Sequence, residues 1–398
     1  MNKILKIGSL FAATALYISG VSAIEVTEKA KQLAQQNIII DSHIDVPYRL
    51  EEKWVDVTKA TKGGDFDYPR AKQGGLNAPF MSIYIPASLD NSDTSTKLAD
   101  KLIDYVEAIV GRAPDKFAVA TSTAEVEQQF AKGLISLPLG MENGSPIQGD
   151  LANLHHFYER GIRYITLAHS QANHISDSSY DLRRKWKGLS PFGKELVQEM
   201  NKVGVLIDIS HVSDAAFYQA IELSKTPVIA SHSSLRAFTP GFERNMDDEM
   251  IKALGKNGGV IQINFGSTFV TKRANAWSNS RSAMAKKLRE KFGEDKEKLK
   301  SAMTKYINEN PLPYATLDSV LDHIDHVVQL IGIDHVGIGS DYDGVGDSLP
   351  TDLKDVSTYP NLIQGLLNRG YSDSQVVKIL SGNFLRVWKA NEEYAAKH

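Results

Sequence analysis

Cysteine is absent from the 398 residues of this chain. This absence excludes disulfide bonds, thiol nucleophiles and thiolate metal sites, so only histidine, aspartate and glutamate are left to hold a transition metal. An excess of one charge is also lacking, because the formal net charge is only −3. Nothing electrostatic therefore favours a nucleic acid or an anionic membrane as a partner.

The one long apolar run lies at the start of the chain. Lys3 and Lys6 flank the beginning of a mostly apolar stretch over residues 7–21, and Val21-Ser22-Ala23 has the small residues of a cleavage site. This pattern predicts a signal peptide over residues 1–23. The run is short for a membrane span, so we expect no stable membrane insertion after cleavage. Export without cysteine favours a bacterial periplasm.

Eight short apolar runs, nearly all separated by helical patterns, predict a parallel sheet. The predicted strands cover residues 38–40, 78–85, 133–141, 162–168, 205–209, 228–231, 259–265 and 336–339. Eight such units favour an α/β fold of the (β/α)8 TIM-barrel type, in which catalytic groups lie where the strands end. A doubly wound open sheet is the alternative, but no glycine-rich phosphate loop follows the first strand.

No repeat or linker divides the mature chain, so residues 24–398 are predicted to form one domain. Residues 267–313 are charged and rich in helix-forming residues, and they are predicted to be a helical insertion. One helix has clear boundaries, with Ser190 as its N-cap, Pro191 at its first position and Gly204 after its end.

Polar side chains that can bind metal follow the predicted strands. Three isoleucines are followed by Asp41-Ser-His43-Ile-Asp45. His43 and Asp45 point to the same side of an extended chain, about 6–7 Å apart. The other polar residues at strand ends are Glu142, His169, His211, His232 and Asp341. Burying so many ionisable groups on one rim of a barrel is costly unless they bind a metal.

These residues suggest two metal ions. His43 and Asp45 are predicted to bind one ion, His211 and His232 the other, and Glu142 to bridge both. Two ions about 3.5–4 Å apart can share a water and lower its pKa towards neutrality. Nitrogen and oxygen ligands with open positions favour zinc, with manganese and cobalt as alternatives.

Two of the strand-end residues have no ligand role in this arrangement. Asp341 could take a proton from the attacking water, and His169 could stabilise an oxyanion at the attacked carbon. Five other histidines are assigned structural or solvent roles: His155, His156, His323, His326 and His335. His174, in the loop after His169, is assigned no role and is expected at the surface or behind the ligands.

Seven short motifs occur along the mature chain. They are Asp41-Ser-His-Ile-Asp45, Gly140-Met-Glu-Asn-Gly144, Tyr164-Ile-Thr-Leu-Ala-His169, Asp208-Ile-Ser-His211, Ser231-His-Ser-Ser234, Arg244-Asn245 with Asp247-Asp248, and Gly339-Ser-Asp-Tyr-Asp-Gly344. In this order the motifs resemble the membrane (renal) dipeptidase family, a branch of the metal-dependent amidohydrolase-type barrels. The loop after His169 differs from mammalian members and resembles bacterial ones.

The resemblance implies a dipeptidase with two Zn²⁺ ions, held by the five ligands named above, in which a metal-bridging hydroxide attacks the peptide. It implies that His169 contacts the scissile carbonyl region and that Arg244 holds the terminal carboxylate of the dipeptide, a role that suits its planar fork. Asp341 would protonate the leaving amine. Tolerance of a D-residue at the C-terminal position and a homodimer are further expectations.

Two alternatives remain at this point. One is a related binuclear metal amidase or lactonase that acts on N-acyl amino acids, and acetylation of the free amino group would discriminate it from a dipeptidase. The other is a non-catalytic periplasmic protein that binds metal or peptide. That protein would need no proton-transfer group, whereas Asp341 is present here.

Overall fold

The computed structural model describes residues 24–90 and 92–398. The predicted signal peptide, residues 1–23, lies outside the described residues. The strands are β1 (Ile40–Ile44), β2 (Ala78–Tyr84), β3 (Phe117–Val119), β4 (Ile135–Leu137), β5 (Leu139–Glu142), β6 (Ile162–Thr166), β7 (Leu206–Asp208), β8 (Ile229–Ser233), β9 (Val260–Ile263) and β10 (Val336–Ile338). Eight of them form one sheet in the order β1-β2-β5-β6-β7-β8-β9-β10, and every pair is parallel.

The first and last strands of this sheet meet at their carboxyl ends. Ile44 and Tyr342 form a parallel bridge. The amide of Asp45 donates to the carbonyl of Tyr342 at 2.9 Å, and the amide of Asp341 donates to the carbonyl of His43 at 3.1 Å. These contacts nearly close the barrel, and the prediction of a (β/α)8 barrel is confirmed.

The prediction of a single strand over residues 133–141 is wrong. The segment is divided at Pro138 into β4, which pairs with β3 in a separate two-stranded sheet, and β5, which joins the barrel. Proline has no N–H to donate to a strand ladder. The carbonyl of Pro138 still accepts from the amide of Met81 at 2.8 Å, so the chain enters the barrel at the residue after the proline.

Helices surround the barrel and connect its strands. They are α1 (Glu28–Gln36), α2 (Val46–Glu52), α3 (Tyr68–Gly74), α4 (Asp93–Arg112), α5 (Thr123–Ala131), α6 (Leu151–Glu159), α7 (Pro191–Val203), α8 (Asp214–Leu223), α9 (Asp248–Asn257), α10 (Ser267–Val270), α11 (Lys272–Phe292), α12 (Lys296–Glu309), α13 (Leu317–Ile331), α14 (Tyr359–Asn368), α15 (Asp373–Val377) and α16 (Asn383–Ala395). Within the described ranges, none of them combines the length and apolar character needed to cross a bilayer.

The boundaries predicted for α7 are confirmed. The Ser190 hydroxyl accepts from the amide of Gly193 at 2.8 Å. Gly204 follows the helix in the left-handed conformation, with φ 89°, which glycine adopts without the steric cost of a Cβ.

The barrel interior is apolar at its amino end. Phe384 and Trp388 of α16 pack against Phe80 of β2, with ring centroids 5.0 and 5.2 Å apart, and all three side chains are buried. This apolar cluster covers the amino end of the barrel. The polar residues of the site lie at the opposite, carboxyl end.

Residues 267–313 contain α10, α11 and α12. In α11, which has 21 residues, only Ala274 is buried, and α12 buries no residue. Together α11 and α12 form a largely exposed helical pair beside the carboxyl end of β9.

One histidine away from the strand ends is fully buried. His323 on α13 accepts from the amide of Leu235 through Nδ1 at 3.0 Å. Its Nε2 lies 3.0 Å from the carbonyl of Val270, so Nε2–H is the donor there. Both nitrogens are used by the neutral ring, and burial lowers the pKa of His323 to about 4.

We expect His323→Gln to flatten the pH dependence of stability. An unfolded histidine titrates near pH 6.5, so the unfolded state binds more protons than the folded state between about pH 6.5 and 4. Stability therefore falls as the pH falls, by about 2 kcal/mol between pH 7.5 and 5 for this residue alone. Urea unfolding of both proteins at the two pH values measures the free energy of unfolding. An equal change in this free energy between the two pH values in both proteins would contradict the prediction.

Candidate metal centre

The structure brings the eight predicted site residues together at the carboxyl rim of the barrel. Each is carried by a strand or by the segment that follows one: His43 and Asp45 (β1), Glu142 (β5), His169 (β6), His211 (β7), His232 and Arg244 (β8), and Asp341 (β10). The carboxyl ends of parallel barrel strands share one face, which explains why residues far apart in sequence meet here.

Glu142 lies at the centre of the cluster. Its Oε1 is 3.2 Å from His211 Nε2, 3.3 Å from His232 Nε2 and 3.5 Å from His169 Nε2. Its Oε2 is 3.4 Å from His43 Nε2. The two oxygens of one buried carboxylate thus face different sets of imidazoles, which is the geometry that a ligand shared by two metal positions requires.

Among the residues that the structure describes, three overlapping groups could each hold a metal ion. They are His43 with Glu142 and His232, Glu142 with His169 and His211, and His43 with Asp45 and Asp341, and within each group the ligand atoms lie within 4.8 Å of one another. Glu142 and His43 each belong to two groups. The third group contains Asp341, for which the sequence predicts proton transfer and no ligand role.

The donor atoms fit divalent cations. Burial lowers the pKa values of His211 and His232 well below the ordinary value, so both rings are neutral, as ligation requires. Their Nε2 atoms are only 2.8 Å apart. Among the described residues, the buried atoms His43 Nε2 and Asp45 Oδ1 have no hydrogen-bond partner. Buried lone pairs without donors are costly unless a cation satisfies them.

Tyr164 fixes the orientation of the His43 ring. Its hydroxyl donates to the carbonyl of Ser42 at 3.0 Å and lies 2.9 Å from His43 Nδ1. Because the hydroxyl hydrogen is already used, Nδ1–H of His43 is the donor and Nε2 is the ring nitrogen that faces the centre.

A similar relay orients His232. Its Nδ1 lies 2.7 Å from the hydroxyl of Ser231, which itself donates to Asp208 Oδ2 at 2.7 Å. Tyr164, Ser231 and Asp208 lie inside the motifs of the sequence, but the motifs alone predict no role for them. Only Ser231 directly precedes a predicted ligand, His232, and that adjacency was the available signal.

We expect Tyr164→Phe to weaken metal binding without removing a ligand. The substitution deletes the acceptor for His43 Nδ1–H, and losing such a partner typically costs 10- to 100-fold in metal affinity. Competition with a chromophoric chelator measures the affinity. The control is Tyr158→Phe, on α6 near the amino end of β6, and equal affinities for the two variants would contradict the prediction.

Arg244 is buried against the rim beside His232. Its guanidinium donates to the carbonyl of His232 and to the Ser233 hydroxyl, both at 2.7 Å. Its Nε has no hydrogen-bond partner among the described residues, and its guanidinium carbon lies 5.5 Å from the ring centroid of Phe269. These contacts hold a permanent positive charge in a fixed position next to the cluster.

Asp341 follows β10 in a left-handed conformation, with φ 63°. Its Oδ2 accepts from Asn264 at 2.7 Å. Burial and the nearby carboxylate of Asp45 raise the pKa of Asp341 well above its ordinary value. A Cβ on Gly344 would lie 2.2 Å from both Asp341 Oδ1 and Asp45 Oδ2, so the glycine lets the backbone approach the two carboxylates.

A cavity of about 720 Å³ opens above the cluster. Glu142, His169, His211 and Asp341 line its base. Its side walls include Tyr48 and Tyr84, Tyr180, and Phe269 with Trp277 and Arg281 from the insertion. A base that could hold metal, below an open cavity of this size, is suited to hydrolysis of a small molecule.

The chain was compared with known proteins. The model for the membrane dipeptidase family (peptidase family M19) matches residues 27–398. An uncharacterized dipeptidase of Schizosaccharomyces pombe is 30% identical over 413 residues, which cover 98% of this chain and 91% of that protein. Dipeptidase 3 of Mus musculus is 31% identical over 380 residues, which cover 93% of this chain and 68% of that protein.

Two solved structures have the same fold. The probable dipeptidase PvdM from Pseudomonas aeruginosa has a TM-score of 0.79 and 26% identity, covering 92% of this chain and 98% of that chain. A metallopeptidase from Rhodobacter sphaeroides has a TM-score of 0.73 and 24% identity, covering 89% of this chain and 99% of that chain. The family match over nearly the whole described chain, together with the identity to curated dipeptidases, shows that this chain belongs to the membrane dipeptidase family of metallo-dipeptidases.

Proposed function

We propose that this metallo-dipeptidase uses two Zn²⁺ ions to hydrolyse dipeptides that have a free amino group, and that it accepts a D-residue at the C-terminal position. The observation that carries the proposal is the position of Glu142, whose two oxygens face different imidazoles within 3.5 Å. A single carboxylate with four imidazoles around it suits two nitrogen- and oxygen-liganded ions better than one.

His43 and Asp45 would hold one ion, His211 and His232 the other, and Glu142 would contact both. When bound, the ions would act as Lewis acids towards the peptide carbonyl and lower the pKa of a water molecule. The protein supplies pre-oriented imidazoles for them, because hydrogen bonds to Nδ1 leave Nε2 of His43 and of His232 facing the centre.

The other residues bind the substrate and move protons. Arg244 binds the C-terminal carboxylate of the dipeptide. Burial lowers the pKa of His169, so its neutral ring donates one hydrogen bond to the carbonyl oxygen as negative charge develops there. Asp341 takes the proton of the attacking water and delivers it to the nitrogen of the leaving amino acid, and a raised pKa suits a group that must hold this proton.

A small substrate panel tests this function. The metal-loaded enzyme is incubated with Gly-D-Ala, L-Ala-L-Ala and N-acetyl-Ala-Ala, and the released amino acids are measured. We expect both free dipeptides to be cleaved and the acetylated one to be resistant. Gly-D-Ala is included because the R. sphaeroides structure carries a phosphinate mimic of L-Ala-D-Ala. Cleavage of only the acetylated compound would support the alternative, a binuclear amidase or lactonase for N-acyl amino acids.

Location and assembly complete the proposal. We propose that residues 1–23 are removed on export to the periplasm and that the mature enzyme is a homodimer. N-terminal sequencing of the protein from a periplasmic extract tests the cleavage, and sedimentation equilibrium tests the dimer.

A further inference from the structure

The helical insertion contributes a wall to the substrate cavity. Trp277 and Arg281, on successive turns of α11, line the same cavity as Glu142 and Asp341. The insertion begins after β9, which is the neighbour of β8 in the barrel, and Arg244 follows β8. This wall is therefore next to the position proposed for the C-terminal carboxylate of the dipeptide.

The side chain of Arg281 lies against the ring of Trp277, which is itself held in place. Its guanidinium carbon lies 5.8 Å from the ring centroid of Trp277, within the range of a cation–π contact. The indole N–H of Trp277 donates to the carbonyl of Asn310 at 2.7 Å, which ties α11 to the segment after α12. The Trp277 ring is therefore fixed by contacts with both α11 and the end of α12.

The positive charge of Arg281 has no ion-pair partner among the described residues. Within residues 24–90 and 92–398 it forms no ion pair, and it is the one lysine or arginine among the described residues that line the cavity. The helix around it is strongly basic, since α11 carries seven lysines and arginines and one glutamate. An unpaired cation at the mouth of a cavity, on a basic helix, attracts anionic ligands.

We propose that Arg281, supported by Trp277, selects dipeptides whose C-terminal residue has an acidic side chain. The inference rests on the proposed dipeptidase function and names a substrate class for the same site. Arg244 would bind the main-chain carboxylate and Arg281 the side-chain carboxylate, so two separate cations would recognise a C-terminal residue with two negative charges.

The test compares Ala-Glu with its neutral isostere Ala-Gln, each with an L- or a D-residue at the C-terminus. The selectivity is the ratio of the two kcat/KM values, measured for metal-loaded wild type, Arg281→Gln and Arg281→Glu. We expect Arg281→Gln to lower the ratio roughly five- to tenfold through the KM for Ala-Glu, as expected for one charge-assisted contact at an exposed position. Arg281→Glu should lower it further, and 1 M salt should reduce the wild-type ratio by screening.

The matched control is Arg289→Gln, which removes the same charge from an exposed position on the same helix, outside the cavity lining. It should leave the ratio unchanged. An equal fall in Arg289→Gln would overturn the proposal in favour of the general charge of the helix, and so would an unchanged ratio in Arg281→Gln. If wild type cleaves Ala-Gln but Arg281→Gln keeps its ratio, only the specificity fails. If wild type cleaves no dipeptide, the proposed function fails as well.

Discussion

Glu142→Gln is expected to abolish tight metal binding and, with it, dipeptide hydrolysis. Glutamine keeps the size of the side chain but replaces the carboxylate that faces four imidazoles with a neutral amide. Whichever way the amide is turned, its NH2 group takes the place of a carboxylate oxygen that lies 3.2–3.5 Å from imidazole Nε2 atoms. A metal ligand at that position must offer a lone pair, whereas the NH2 group offers N–H donors. We expect the affinity for zinc to fall by roughly a hundredfold or more, beyond the cost of losing a hydrogen-bonding partner of a ligand.

Metal analysis after equilibration with a chelator measures the effect directly, and it does not depend on knowing the substrate. A second readout is thermal unfolding, since a cation that binds only the folded protein raises its stability. Added zinc should therefore stabilise wild type but not Glu142→Gln. The isosteric control is Glu199→Gln on α7, whose carboxylate pairs with His155 at 3.7 Å away from the rim. Wild-type zinc content in Glu142→Gln would contradict the central role of this carboxylate.

The convergence of the candidate site residues could be predicted because a parallel barrel converts a local sequence pattern into a spatial one. A polar residue directly after an apolar run predicts a side chain at the carboxyl rim. His43 is far from His211 and His232 in the sequence, yet the strands that carry them all end on one face. The same rule could not reveal Tyr164 or Asp208, because their hydrogen bonds to other strands depend on the register of the sheet.

Other parts of the fold were missed for physical reasons. Helices α2, α3 and α5 have seven to nine residues, too short for a clear amphipathic period. The pairing of β3 with β4 depends on a break at Pro138 within an apolar run that otherwise has the composition of one strand. The left-handed backbone of His211, with φ 70°, has no local signal in the sequence.

The role of the helical insertion also could not be predicted from the sequence. Its charge and helical composition are evident in the sequence, but composition does not indicate which face of a helix meets the barrel. Trp277 and Arg281 reach the cavity because α11 follows α10 directly and starts at the carboxyl end of β9. A cavity wall of this kind depends on tertiary placement, whereas the ligands at the strand ends depend on the strands themselves.

Asp341→Asn is expected to lower kcat by about 10²- to 10⁴-fold, the usual contribution of a group that transfers a proton in the transition state. Asparagine keeps the size of the side chain and can still accept from Asn264, which now contacts Oδ2 at 2.7 Å. It cannot take a proton from water or give one to the leaving amine. The measurements are kcat and KM for a dipeptide that wild type cleaves, with the metal content of each protein determined in parallel.

The metal content decides between two roles for this carboxylate. Asp341 is within reach of His43 and Asp45 in a group that could hold an ion, so loss of activity together with loss of metal would make it a ligand. Loss of activity with wild-type metal content would leave proton transfer as its role. Asp343→Asn is the matched control on the same loop. The Asp343 carboxylate accepts from Arg49 at 2.7 and 2.8 Å and from the amide of Asp65 at 2.7 Å, so removing its charge should lower stability while reducing kcat less than tenfold.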